Sequence, residues 1–194
     1  MTAWQVGGYL LGVYVLGSIP FSVLVAKYKK VDLRQVGSGN IGATNVYRAL
    51  GMKYAAFVFL LDALKGYIPV VLSLDLGDSV LLPLIVAGVC VAGHSLSMFA
   101  KFRGGKGAAT GLGVLAALSP DVVVVLVMVA SILIWRFRVV SLTTLICSVL
   151  APLLLYFFDY SLEYVAVFSC IALLIVVRHW SNIQRLIRGE ENKV

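Results

Sequence analysis

The stretch GAATGLGVLAALSPDVVVVLVMVASILIW, residues 107–135, decides how the chain is folded. Apart from single hydroxyls at Thr110 and Ser131, it is apolar from end to end except at Ser119-Pro120-Asp121. It therefore reads either as one long helix kinked at Pro120 or as two helices joined by a turn. Charge separates the two readings. With a turn at 119–121, the apolar runs are 4–26, 54–74, 79–99, 107–118, 121–135, 139–158 and 162–178. Fifteen of the sixteen Lys and Arg residues then fall on one side, all except Lys65, and Asp75, Asp78, Asp121, Asp159 and Glu163 fall on the other. Merging 107–135 into one span would send Arg136, Arg138, Arg178, Arg185, Arg188 and Lys193 to the opposite face. The positive-inside rule favours seven spans, with the N-terminus outside and the C-terminus in the cytoplasm.

Composition agrees. The chain has 194 residues, 61% of them hydrophobic and 13% charged, with mean hydropathy +0.99. That excludes a soluble domain and predicts an all-α membrane protein, a seven-transmembrane-helix bundle forming one polytopic domain over 1–194. The N-terminus lacks a basic segment before its apolar run, so no cleavable signal peptide is expected. Trp4, Trp135 and Trp180 stand at the ends of runs, where an interfacial belt places them. Cys90, Cys147 and Cys170 lie in separate apolar runs and read as small core residues. No C-x-x-C, no His/Cys cluster and few cytoplasmic acids (Asp32, Glu190, Glu191) are present, so neither a metal nor another cofactor is expected. Nothing suggests a nucleic-acid partner.

The run 107–118 is short, about 18 Å at ~1.5 Å per residue. The Gly104–Lys106 loop before it must then lie below headgroup level in a protein-lined cavity, since lipid-exposed irregular backbone is not tolerated there. Two glycine-rich basic loops stand out on the cytoplasmic side. In the first, Gly37, Gly39 and Gly42 have G-x-G-x-x-G spacing, but no βαβ unit fits around them to make a dinucleotide fold. The physics of the pattern remains: glycines let backbone approach a phosphate, and a following helix turns its positive end towards it. Ser38, Asn40, Thr44 and Asn45 add donors, and Arg48 lies one turn after Thr44 with a guanidinium fork for phosphate oxygens. The plain alternative is a glycine-rich turn beside a snorkelling arginine.

The second loop, Gly104-Gly105-Lys106-Gly107, departs from a Walker A loop but suits an anion nest with Lys106 as a point charge. Lys101 and Arg103 read as positive-inside signals. At the C-terminus His179, Asn182 and Arg185 recur every third residue and share a helix face as the last span ends. Ser141 either joins them or caps its helix. Asp62 and Lys65, one turn apart within a span, are either functional or a structural pair. An H-x-x-x-x-D motif is absent.

Three segments in this order, GSGNIGATNVYRALG at 37–51, GHSLSMFAKFRGGKGAAT at 93–110 and RHWSNIQRL at 178–186, resemble the bacterial acyl-phosphate-dependent glycerol-3-phosphate acyltransferases, the PlsY family. The resemblance covers essentially the whole chain. It implies a seven-span inner-membrane enzyme that moves an acyl chain from acyl phosphate to the 1-hydroxyl of sn-glycerol 3-phosphate. The products would be lysophosphatidic acid and phosphate, in the first acylation step of phospholipid biosynthesis. It points to Ser38, Thr44, Asn45, Arg48, Gly104, Gly105, Lys106, His179 and Asn182. Ser97 departs from the family pattern, which usually has proline there. Ser38, Arg48, Lys106, His179 and Asn182 are the expected catalytic residues. Gly37, Gly39, Asn40, Gly42, Thr44, Asn45, Gly104, Gly105, Gly107 and Ser141 are the expected phosphate-binding set. Acyl phosphate is already activated, so positioning supplies much of the catalysis. Direct transfer, with His179 or a substrate phosphate oxygen taking the hydroxyl proton, competes with an acyl-Ser38 intermediate. A transporter of organophosphate anions is a rival, weakened by the lack of an internal repeat. An acyltransferase using coenzyme A or carrier protein is another, weakened by the missing H-x-x-x-x-D. The enzyme is expected to work as a monomer among membrane lipid.

Overall fold

The structure is a computed structural model that describes residues 2–77 and 79–194; Asp78, assigned above to the outer side, lies outside the described residues. Among the described residues the chain is all helix, loop and turn. In order come α1 (Ala3–Ser18), α2 (Phe21–Tyr28), α3 (Ala43–Leu50), α4 (Met52–Leu74), α5 (Leu81–Ser95), a single 3-10 turn (Met98–Ala100), α6 (Ala108–Leu118), α7 (Pro120–Phe137), α8 (Val140–Phe157), α9 (Leu162–Arg178) and α10 (Trp180–Ile187).

Five segments are long and apolar enough to cross a membrane: Ala3–Tyr28, Met52–Leu74, Leu81–Ala100, Pro120–Phe137 and Val140–Phe157. A sixth counts if α9 and α10, bent by 61° at their junction, are one broken span; α6 is apolar but short. Ser119 and Pro120 separate α6 from α7, with Pro120 opening α7 where its missing N–H costs nothing. Large apolar side chains such as Phe57, Leu60, Val124, Ile132, Leu153 and Leu173 point outward, as hydrocarbon permits.

The first apolar run, 4–26, falls within one candidate span, Ala3–Tyr28, whose helix is interrupted at Ile19 and Pro20. Pro20 pushes Ile19 into an extended conformation (φ −61°, ψ 116°), and the helix restarts at Phe21. The break frees two carbonyls, and both find donors elsewhere. Ser97 Oγ donates to the Ser18 carbonyl at 2.5 Å, and Lys65 Nζ donates to the Ile19 carbonyl at 2.8 Å. Ser97 therefore has a use for its hydroxyl, while its φ of −59° is one that proline would also hold. Buried in a span, Lys65 is anchored by α1 as well as by Asp62.

Two close helix crossings build the core. A Cβ on Gly17 would stand 2.7 Å from the Cys90 carbonyl oxygen, and one on Gly93 the same distance from that of Tyr14, so α1 and α5 touch backbone to backbone. A Cβ on Gly66 would meet the Thr110 carbonyl oxygen at 2.6 Å, and one on Gly113 would collide with that of Ala63, which does the same for α4 and α6. Small residues at the seam let helices in lipid gain dispersion contact that bulky ones would prevent. Leu84, Val86, Val91, Val114, Val122 and Leu155 fill the space between these crossings. A smaller cluster of Ala26, Leu33, Ile41, Val46, Ala55 and Val58 ties the loop 29–42 and α3 to the bundle. Cys90 is buried as expected, whereas Cys147 is half-buried and Cys170 faces outward. The α4–α6 seam also sets the start of α6 against Asp62: Thr110 Oγ1 donates to the Asp62 carbonyl at 2.9 Å.

Candidate active site

Two helix N-termini, those of α3 and α6, converge on one polar cavity of about 160 Å³. Gly42, Ala43 and Thr44 contribute from the first, and Gly107, Ala108 and Ala109 from the second. The first amides of a helix have no partner within it, so this arrangement aims two sets of N–H groups and two positive dipole ends at one volume. Asn40, Arg48, Lys106, Ser141, His179 and Asn182 complete the polar wall, together with Asp62, His94 and Glu191. Gly107 starts α6 with φ +87°, a left-handed conformation that glycine holds without strain.

The C-terminal tail closes the site. After α10, Gly189 (φ +71°) turns the chain back, and the Glu191 carboxylate accepts from Ser141 Oγ at 3.0 Å, Asn182 Nδ2 at 2.7 Å and Arg185 Nε at 2.7 Å. Arg48 Nη2 donates to the Asn192 carbonyl at 3.3 Å, and the Val194 amide to that of Arg138 at 2.8 Å. In the sequence Glu191 reads only as one of too few cytoplasmic acids for a metal site. The signal for its role is a surplus of converging cations that needs a buried anion. Burial would push its carboxyl up, but the hydrogen bonds from Arg185, Asn182 and Ser141 outweigh that and hold it below the usual glutamate range.

Lys106 donates a short hydrogen bond to Asn182 Oδ1. Burial, with Arg185, Arg48 and Arg178 nearby and only Glu191 opposing them, pushes its ammonium down to about 8. His179 caps the bend between α9 and α10, with Nδ1 2.8 Å from the Ile175 carbonyl oxygen. That contact places the proton on Nδ1 and leaves the Nε2 lone pair free, so a carbonyl orients this imidazole where the sequence offers no carboxylate. Burial, reinforced by Lys106, lowers His179 to about 4 despite the contribution of Ile175.

Several expected phosphate ligands are used otherwise. Asn45 is buried; its Oδ1 accepts from the Ser38 amide at 3.0 Å and its Nδ2 donates to the Leu33 and Val36 carbonyls at 2.8 and 3.0 Å. It organises the first loop instead of facing a ligand. Gly37 (φ +60°) and Gly39 (φ +69°) turn the chain around it, and these glycines and Ser38 are not on the cavity wall. Gly104 and Gly105 also leave the set. Their amides donate to the Ser95 and His94 carbonyls at 3.1 and 3.2 Å, and their carbonyls accept from Arg178. A Cβ on Gly104 would collide with the His94 carbonyl, and one on Gly105 with the His94 imidazole. Arg178 is thus a loop clamp that sequence reading does not single out, His94 is a wall residue that it also misses, and Asp62, read there as either functional or part of a structural pair, stands on the wall as well. Among the described residues no three His, Cys, Asp or Glu side chains gather as a metal site.

Beside the polar cavity runs an apolar groove of about 440 Å³ between α6, α7, α8 and α9. Phe59, Ala108, Val140 and Thr144 line both, so the two spaces share a wall. Leu112, Leu126, Ile134, Ala151 and Ile171 continue the groove along the bundle.

Comparison with known proteins assigns this arrangement. Residues 8–189 match the family model for glycerol-3-phosphate acyltransferase. The chain belongs to that family. Curated glycerol-3-phosphate acyltransferases of Aquifex aeolicus and Halalkalibacterium halodurans are 44% and 45% identical to it. The alignments cover 93% and 96% of this chain and 94% and 95% of those proteins. A crystal structure of an integral membrane glycerol 3-phosphate acyltransferase, in its glycerol 3-phosphate form, superposes with a TM-score of 0.94 at 41% identity over 98% of this chain and 96% of that one. The lysophosphatidic acid form of such an enzyme gives 0.90 at 40% identity over 97% and 95%. The protein is therefore an acyltransferase embedded in a membrane, and glycerol 3-phosphate is its acceptor.

Proposed function

We propose that this enzyme transfers a fatty acyl chain from acyl phosphate to the 1-hydroxyl of sn-glycerol 3-phosphate, giving lysophosphatidic acid and phosphate. The observation that carries this reading is the shared wall between a cationic cavity and an apolar groove. A substrate that is anionic at one end and a long hydrocarbon at the other fits only where both are joined. The groove's side chains stabilise the chain by burial, roughly 25 cal/mol per Å² of apolar surface. Lys106, Arg48 and the amides of two helix N-termini stabilise the charge of two phosphates brought together and the charge developing on the reacting carbonyl.

Transfer is direct. The 1-hydroxyl oxygen bonds to the acyl carbon as the bond from that carbon to the phosphate oxygen breaks, and the hydroxyl proton ends on a phosphate oxygen. Phosphate monoesters have their second pKa near ~6, above the value of about 4 that burial gives His179. The histidine accordingly holds the hydroxyl through Nε2 while phosphate takes the proton. Ser38 lies off the cavity wall, which disfavours an acyl-serine intermediate.

In the membrane the bundle makes seven crossings, counting α6 as a short one and α1 with α2 as one, with the N-terminus outside. Lys106, His179 and the tail then face the cytoplasm of a bacterial inner membrane, on the side that receives the basic residues. The cavity and groove residues named for both substrates come from one chain, which supports a monomer as the working unit.

The test uses purified protein in lipid with radiolabelled sn-glycerol 3-phosphate and, separately, palmitoyl phosphate, palmitoyl-CoA and palmitoyl carrier protein. Lysophosphatidic acid formed from palmitoyl phosphate alone is the expected outcome. Product from either thioester would remove acyl phosphate as the defining donor.

A further inference from the structure

Part of the cavity wall is carried by α10, an eight-residue helix whose other side the reaction does not use. On the inner side Asn182 is 4% exposed and bonds to Lys106 and Glu191. On the opposite side of the same helix Trp180 and Ile187 are 63% and 81% exposed. This outward stripe begins before α10. Leu173, Val177, Trp180, Gln184 and Ile187 follow at steps of four, three, four and three residues, the spacing of one helix face, and all five are exposed. The face that α9 turns to lipid thus continues through the 61° bend into α10. A contiguous exposed stripe with large apolar side chains marks a surface that something covers.

Charge selects the occupant. Arg178 is spent on the Gly104 and Gly105 carbonyls, and Arg185 on Glu191. Arg188 at the end of α10 and Lys193 in the tail are exposed, and among the described residues neither stands in an ion pair. The same holds for Arg136 and Arg138, at the α7–α8 turn that the Val194 amide reaches. A tryptophan in an apolar stripe flanked by uncompensated cations is the composition of a helix lying among anionic headgroups. The bend agrees, because it turns α10 out of the line of α9 and towards the membrane plane.

We infer that α10 is an interfacial anchor, with its outer stripe at headgroup level on the side of the active site and Arg188 and Lys193 on the phosphates of anionic lipid. Asn182 stands on the other side of that helix. The depth at which lipid holds α10 therefore sets where this part of the cavity wall stands. The anchor depends neither on the acyl donor nor on which side of the membrane the site faces.

The test uses the full chain with Trp4→Phe and Trp135→Phe, which leaves Trp180 as its one indole; both replaced residues are exposed and off the cavity wall. In phosphatidylcholine vesicles Trp180 fluorescence should be quenched by lipid brominated early in the acyl chain, less by lipid brominated near the chain end, and little by aqueous acrylamide. Full quenching by acrylamide with none by lipid puts α10 in water and overturns the proposal. Protection from both quenchers overturns it as well, because another polypeptide then covers the stripe. Brominated phosphatidylglycerol should outcompete brominated phosphatidylcholine about fivefold, the preference conferred by one basic residue near an anionic surface. Arg188→Gln combined with Lys193→Gln should erase that preference, and equal quenching by the two lipids in the unsubstituted helix overturns the assignment to anionic lipid. Turnover rests on the acyl-phosphate reading above and is measured with palmitoyl phosphate in the same vesicles. The kcat should rise severalfold as phosphatidylglycerol replaces phosphatidylcholine and stay flat in the double variant. A flat response in the wild type overturns the link to the cavity wall. Absence of all turnover would instead remove the reading of the donor and leave the quenching result standing.

Discussion

The two glycine-rich loops look alike in the sequence, and in the structure each divides its glycines between two different tasks. In the first, Gly42 opens α3 at the cavity with Thr44 and Arg48 behind it, while Gly37 and Gly39 wrap around Asn45. In the second, Gly107 opens α6 at the cavity behind Lys106, while Gly104 and Gly105 are spent on packing against the end of α5. Of its glycines each loop therefore turns only the last towards the cavity, beside Asn40 in the first and Lys106 in the second. A glycine at a phosphate site and a glycine at a backbone crossing satisfy the same steric need. What separates them is where their amides point.

The strongest challenge to that division comes from the cations. Lys106→Ala and Arg48→Ala should each lower kcat/KM for glycerol 3-phosphate by roughly 10²–10³-fold, the usual cost of removing one preorganised donor to a developing charge. Thermal unfolding in detergent should change little, because neither side chain fills the core. Gly104→Ala should behave in the opposite way. Its Cβ has nowhere to go beside the His94 and Ser95 backbone, and overpacking of this kind costs about 1–3 kcal/mol. Its signature is a lowered midpoint and poor yield. If the alanine variants unfolded while Gly104→Ala merely raised KM, the assignment of the two classes would be reversed.

Asn45→Ala sharpens the same contrast inside the first loop. Three hydrogen bonds from one buried amide would be lost, leaving the Leu33 and Val36 carbonyls and the Ser38 amide to find water. A penalty on the order of 1–3 kcal/mol is expected, read as a lowered melting point, with any loss of activity following the loop. Gly42→Ala should do less. Its backbone is extended (φ −142°, ψ 165°), which any residue adopts, and its Cβ would stand 3.0 Å from Asn40 Nδ2 at the cavity edge. Folding should be unchanged and KM for glycerol 3-phosphate should rise severalfold.

How much of the molecule is legible in its sequence depends on the kind of signal involved. Apolar run length is additive along the chain, so the run 162–178 coincides with α9, Leu162–Arg178. The break at Pro20 escapes that reading because a proline within an apolar run can kink a helix or end it. What settles the matter is a pair of donors, Ser97 and Lys65, some fifty to eighty residues away. Lys106, Arg48, His179, Asn182, Ser141 and Thr44, expected from the sequence at the site, are brought by the fold to the wall of one cavity. Asn45 has many uses, and which one it serves depends on backbone groups that the fold brings near. Glu191 and Arg178 are illegible for the same reason: a carboxylate satisfied by three donors and a guanidinium spanning two carbonyls are properties of the assembled loops.

The smallest effect is the most discriminating between the loops, because it isolates one ammonium. Burial and the surrounding arginines push the Lys106 ammonium down to about 8, and a neutral amine would offer a phosphate no charge. The kcat/KM for glycerol 3-phosphate should accordingly be full below that value and decline above it, since this parameter reports groups of the free enzyme. A bound phosphate dianion stabilises the ammonium, so the same limb in kcat should lie at higher pH. The second ionisation of phosphate near ~6 and the His179 titration at about 4 fall on the acid side and leave the alkaline limb clear. In Lys106→Arg the guanidinium stays charged throughout, and the limb should vanish from kcat/KM even though the rate drops, because a planar fork replaces a point charge. An unchanged limb near pH 8 in that variant would assign the titration elsewhere, and with it the claim that the second loop acts through its lysine.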